Sequence, residues 1–188
     1  MKAIFCDIDG VLNHQHDKEK DYSQMERFGF APDLVRNLKS VLDAVPDAKL
    51  VVSSSWRAFH DNMGMSDILP EGDWRVTLAE MLGIDASGIC SAPTLHEFAC
   101  GSPNVSGAKG RAHDILLWLS THGRGDSYVV LDDECKELKK WLGGHVVDCA
   151  DDKPHGLTSA RAQAAIGVLK AGHDVPKPKS TFGCEGGC

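Results

Sequence analysis

Lys2-Ala3-Ile4-Phe5-Cys6-Asp7-Ile8-Asp9-Gly10 lies almost at the start of the chain. A β-prone run without polar alternation stops abruptly at a carboxylate, followed two residues later by a second carboxylate and then a glycine. A strand with one face in water alternates polar and apolar residues; this one does not. It is therefore expected to be buried on both faces, as in a parallel sheet covered by helices.

The same arrangement recurs downstream. Pro32 to Val45 places Leu34, Val35, Leu38, Val41, Leu42 and Val45 at helical spacing, with Pro32 in the first turn and Pro46 just beyond the end. Lys49 to Ser53 is a second short apolar run, ending in small polar residues, and Ile89 to Ala92 is a third candidate strand. Thr77 to Leu82 carries a short helical pattern between them. From Ala108 to Leu119, residues Ala112, Ile115, Leu116 and Leu119 share one helical face, which ends near Gly123. Tyr128 to Leu131 forms another strand ending on Asp132-Asp133. His145 to Val147 is the last, and Thr158 is positioned to cap a helix running to Leu169. Strands alternating with helices predict an α/β, Rossmann-like three-layer sandwich around a parallel sheet.

The 188 residues, 42% of them hydrophobic and 25% charged, suit one globular domain over residues 1–172. From Gly172 onward Pro, Lys, Gly and Ser dominate, so residues 173–188 are expected to form a mobile tail. Its two cysteines, Cys184 and Cys188, are too few to complete a tetrahedral zinc site. No apolar run approaches the roughly 20 residues needed to span a bilayer, and no signal-peptide pattern is visible. The expected location is the cytoplasm. Seven cysteines, an odd number, read as reduced thiols. A net charge of −7 argues against a broad electrostatic footprint for a nucleic-acid backbone, so any such contact must be local.

Open α/β sheets bind ligands at the carboxyl ends of their strands. Asp7 and Asp9, Ser53 to Ser55, and Asp132 with Asp133 each follow a separate apolar strand, so three strands deliver carboxylates and hydroxyls to one edge. Converging carboxylates repel one another unless a cation sits among them, and hard oxygen ligands suit Mg²⁺. Either acidic pair alone reads equally well as a polar turn or a helix cap. Both together favour a magnesium site.

Phe5-Cys6-Asp7-Ile8-Asp9-Gly10-Val11-Leu12 resembles the first motif of the haloacid dehalogenase (HAD) superfamily, a strand followed by Asp-x-Asp-Gly-Val/Thr-Leu. Leu50-Val51-Val52-Ser53-Ser54-Ser55-Trp56-Arg57 resembles the second, Lys109 at a helix start the third, and Val129-Val130-Leu131-Asp132-Asp133-Glu134 the fourth, in the family's order. The resemblance implies a Mg²⁺-dependent phosphatase in which Asp7 attacks phosphorus to form an aspartyl-phosphate. Asp9 is implied as general acid and then base, as phosphate esters require. A hydroxyl of Ser54, or of Ser53, and the Lys109 ammonium are implied to bind the phosphate; Arg57, Arg111 and Lys136 are alternative cations. Metal ligation is implied for Asp7, the Asp9 carbonyl and Asp132, with Asp133 binding directly or through water.

Trp56-Arg57 resembles a feature of small phosphatase-like domains in nucleic-acid repair proteins and some nucleotidases. The indole can stack on a base and Arg57 can pair with a phosphate; alternatively both are packing and surface residues. Residues 13–31 and 58–108 contain no full cap domain, so a capless or minimally capped, open site is expected. That suits a large substrate such as a phosphorylated polynucleotide end or a phosphoprotein, whereas the net charge suits nucleotides or small metabolites. A catalytically idle binding module on the same fold is the alternative from outside enzymology.

Overall fold

The computed structural model describes residues 1–13, 29–56, 73–93, 108–122, 127–150 and 153–172. In chain order these form β1 (Lys2–Cys6), α1 (Pro32–Ala44), β2 (Ala48–Val52), α2 (Trp74–Leu82), β3 (Ile89–Ser91), α3 (Ala108–Thr121), β4 (Ser127–Asp132), α4 (Cys135–Leu142), β5 (Val146–Asp148) and α5 (Ser159–Ala171). The sheet order is β3-β2-β1-β4-β5, and every described pairing is parallel. This is the expected Rossmann-like α/β sandwich. Residues 14–28, 57–72 and 94–107, parts of the stretches where a cap would be inserted, and the tail lie outside the described residues.

Strand alternation divides the interior into two cores. Ile4 and Cys6 of β1 face one side, with Val35, Leu38 and Val41 of α1, Leu78 and Leu82 of α2, and Ala162, Ala165 and Leu169 of α5. Ala3 and Phe5 face the other, with Ala112, Ile115, Trp118 and Leu119 of α3 and Leu138 and Leu142 of α4. Successive side chains point to opposite faces of a strand, so a strand covered on both sides must be apolar throughout. That is the physical reason for the uninterrupted run in β1, and β4 is likewise buried along its whole length.

Helix α4 is not anticipated by the sequence reading. It is only eight residues long, and Cys135, Leu138 and Leu142 are its buried positions among lysines and glutamate. So short a helix owes its formation to packing rather than to propensity. Elsewhere the ends follow local chemistry. Asp73 caps α2 by accepting from the Arg75 backbone N–H at 2.9 Å, and Thr158 caps α5 by accepting from Arg161 N–H at 3.3 Å. Gly156 (φ +88°) packs so tightly that a Cβ there would lie 2.6 Å from Leu34 Cδ1, and the next residue's N–H bonds Val11 O at 2.9 Å. The turn after β1 is thereby held against the β5–α5 loop.

The sheet ladder continues past the strand ends. Asp7 N–H donates to Leu131 O at 2.9 Å and Ser53 N–H to Cys6 O at 3.0 Å. With Cys6 in register with both Val52 and Leu131, Asp7 is brought alongside Ser53 on one side and Asp132 on the other.

Phe5 is fully buried and meets Trp118 and Tyr128 edge-on, with ring centroids 5.4 and 6.2 Å away. Phe5→Ala is expected to lower unfolding free energy by about 3–5 kcal/mol, measured by urea denaturation. A loss comparable with that of a surface substitution would argue against this core.

Candidate active site at the carboxyl edge of the sheet

After β3 the chain crosses to the far side of β1, so β1 and β4 are neighbours from which connections depart in opposite directions. This is the topological switch point at which open sheets bind ligands. Asp7 leaves β1 there and Asp132 ends β4 there, 3% and 0% exposed. The Arg111 guanidinium from α3 lies between them: its Nη1 donates to Asp7 Oδ2 at 2.7 Å and to Asp132 Oδ2 at 2.6 Å. The remaining oxygens accept backbone donors, Asp7 Oδ1 from Ile8 N–H and Asp132 Oδ1 from Glu134 N–H, each at 2.8 Å.

Burial raises the Asp7 pKa above its ordinary value, against Arg111, the Ser54 hydroxyl and the Ile8 N–H, all of which favour the carboxylate. Burial likewise pushes Asp132 up to about 7, with Arg111 opposing and repulsion from Asp7 adding to the rise. For Arg111, burial opposes the charge, but Asp132 and Asp7 outweigh it and hold the guanidinium protonated. The site thus has more negative charge than its one described guanidinium relieves.

Oxygens of Asp7, Asp132 and Asp133 lie within 4.8 Å of one another. Three hard carboxylate oxygens converging at one place form a donor set that fits a divalent cation with oxygen preference. These residues could hold such an ion.

Of the candidate phosphate ligands, Ser54 is fully buried, its hydroxyl favours the Asp7 carboxylate, and it accepts the Trp56 backbone N–H at 3.3 Å. Ser53 is fully buried at the strand end. Lys109 sits in the first turn of α3, but its side chain lies outside the described residues, as does Arg57. Among the described residues, Arg111, two residues beyond Lys109 and one of its alternatives, is a cation that reaches both acids. Trp56 is 8% exposed and lies against Phe30 and Trp74. Its indole N–H donates to Asp9 Oδ2 at 2.9 Å. These contacts support the packed reading of Trp56 rather than an open stacking face. Asn13, which the sequence does not single out, donates from Nδ2 to Asp9 Oδ1 at 2.8 Å and accepts Gly10 N–H at 2.9 Å.

The three acids and the site's position also account for the thiols. Cys6 and Cys135 donate to the carbonyls of Asp7 and Asp132 at 3.0 and 2.9 Å, and the four described cysteines are free. Burial pushes the thiols of Cys6 and Cys135 well up, so they stay protonated and serve as donors.

A carboxyl whose pKa rises on folding holds its proton more tightly when folded. Its stabilising contribution is complete below the unfolded value and is lost as pH rises through the folded one. Metal-free protein is therefore expected to lose stability between about pH 4 and pH 7, with Asp132 contributing at most about 1.4 kcal/mol per pH unit. Urea denaturation in chelator across this range should show the decline, reduced in Asp132→Asn. An unchanged slope in the variant would exclude Asp132 as its source.

Residues 3–162 match the model of the HAD domain in Swiss Army Knife RNA repair proteins. Two solved structures of the HAD domain of effector protein Lem4 from Legionella pneumophila, one of them an inactive mutant, are similar in shape. Each covers 91% of this chain at a TM-score of 0.49, with 13% and 14% sequence identity over 95% and 96% of the respective Lem4 chains. A search of curated proteins gives no significant match. With the family model spanning both strand-end acid clusters and the helix that carries Arg111, the chain belongs to the HAD domains of the Swiss Army Knife RNA repair type.

Proposed function

We propose that the protein is a Mg²⁺-dependent phosphatase that hydrolyses phosphate monoesters through an aspartyl-phosphate on Asp7, with polynucleotide ends as its substrate class. The observation that carries this reading is the meeting of Asp7, Asp132 and Arg111 at the switch point, with Ser54 on Asp7. The RNA-repair character of the family supports the choice of substrate.

In this reading Arg111 and the Ile8 N–H aim the Asp7 carboxylate, and one oxygen attacks phosphorus while the ester oxygen departs. Asp9 gives the departing oxygen a proton. It then takes one from the water that attacks the acyl phosphate, which regenerates Asp7 and releases phosphate. Ser54, Lys109 and Arg111 hold the non-bridging oxygens, whose charge must be stabilised through the transition state. Asp7, Asp132, Asp133 and the Asp9 carbonyl would hold Mg²⁺, which supplies positive charge beside the phosphate when bound.

A second reading has an observation of its own. The cleft beside the site, about 560 Å³, is lined by Asp133, Glu134, Glu137 and Asp148 together with Cys135, Lys136 and Ala150. Its acidity repels a long polyanion more than a nucleotide or small phosphorylated metabolite, which brings fewer negative charges to it.

Phosphate release from 3′- and 5′-phosphorylated oligonucleotides, mononucleotides, sugar phosphates and a phosphopeptide tests these readings. Activity is expected to require Mg²⁺ and to vanish on chelation, with Asp7→Asn losing on the order of 10⁴-fold. Arg111→Ala is expected to lose roughly 10²–10³-fold in kcat. Salt-sensitive release from oligonucleotide ends supports the first reading; salt-insensitive preference for free nucleotides or sugar phosphates supports the second. No release from any compound would leave an idle binding module as the better account.

A further inference from the structure

Asp9 is held differently from the other acids. Its two carboxylate oxygens accept from two side chains, Oδ2 from Trp56 Nε1 at 2.9 Å and Oδ1 from Asn13 Nδ2 at 2.8 Å. Asn13 is itself tied back by Gly10 N–H, at a glycine whose φ of +67° turns the chain after Asp9. Trp56 has still less freedom. Its ring lies 5.8 Å from Phe30 and, edge-on, 6.3 Å from Trp74, so segments before α1 and at the start of α2 fix where its N–H points. An indole N–H is a donor only, and at this position it meets a carboxylate.

We infer that Trp56 is a positioning residue for proton transfer: with Asn13, it holds the Asp9 carboxylate at the angle from which a proton reaches the departing ester oxygen. The inference rests on the phosphatase reading and deepens it. Each Asp9 oxygen retains a second lone pair while it accepts one N–H, so the clamp restrains the side chain without occupying the site of proton transfer. An aspartate on a turn otherwise rotates about two side-chain bonds, and misplacement by about 1 Å can cost on the order of 10²-fold in rate. The consequence is selectivity by leaving group. An alkoxide must be protonated as it departs, whereas a nitrophenolate leaves without a proton, so the clamp matters for esters of sugar hydroxyls and little for activated aryl esters.

The test compares kcat/KM on a 3′-phosphorylated oligonucleotide and on p-nitrophenyl phosphate, because kcat/KM reports the step in which the ester oxygen departs. Trp56→Phe removes the N–H and keeps an aromatic ring. It is expected to lower kcat/KM on the oligonucleotide by on the order of 10²-fold while changing it little on the aryl ester. Both esters are assayed on one preparation, so their ratio is independent of the folded fraction. Asn13→Leu is expected to shift the ratio in the same direction, and Trp56→Phe to leave it unmoved in an Asp9→Asn background. Equal losses on both esters, or a shifted ratio that persists without Asp9, overturn the positioning role and leave the phosphatase reading intact. Wild-type protein inactive on both esters and on every other phosphate compound of the panel above overturns the phosphatase reading and this inference together.

Discussion

Two carboxylates forced out of water at the ends of adjacent strands repel one another, and the rest of the site is organised around that repulsion. Asp7 and Asp132 are buried by the same packing that makes β1 and β4 apolar throughout, and neither strand can move without breaking the ladder that carries Asp7 N–H to Leu131 O. Arg111 relieves part of the charge from α3 on one face of the sheet. A guanidinium suits the task because one of its nitrogens, Nη1, donates to both carboxylates and the group does not lose its proton.

Such a cluster is a poor source of stability. Desolvating ions costs about as much as their attraction returns, so a buried pair seldom outperforms hydrophobic side chains of similar volume. The two apolar cores on either side of the sheet carry the fold, with Phe5, Trp118 and Tyr128 on one face and the α1, α2 and α5 side chains on the other. The carboxylates are held by that framework in spite of their charge imbalance, which the cation of the proposed function would offset.

The two acids of the first turn, two residues apart, have opposite surroundings. Asp7 lies in the dry layer above the sheet beside a charged partner, whereas Asp9 is half-buried and clasped by two neutral N–H donors. In the proposed reaction the first is aimed by a cation, and the second, part-exposed, exchanges protons with ester and water. Different environments for neighbouring carboxylates are a general means of dividing acid and nucleophile roles.

Local sequence determined the strands and the acids that follow them: fully buried strands must be continuously apolar, and Asp7, Asp9, Ser53 and Asp132 stop those runs. The periodicity of α1 and α3 was legible for the same reason, since one face of each must be buried, and α5 was legible from Thr158 as its cap. Helix α4 was not, because two turns with charges at half of their positions become helical only when Leu138 and Leu142 have a core to enter. Tertiary structure alone decided that Arg111 reaches the acids. The rotation of α3 about its axis, set by the docking of Ala112, Ile115 and Leu119 on the sheet, brings the Arg111 side chain there. It also decided the place of Trp56, whose burial and bond to Asp9 depend on Phe30 and Trp74, residues far away in sequence. Patterns along a chain report which face of an element is buried; which side chains then meet across elements depends on rotations and registers that only packing sets.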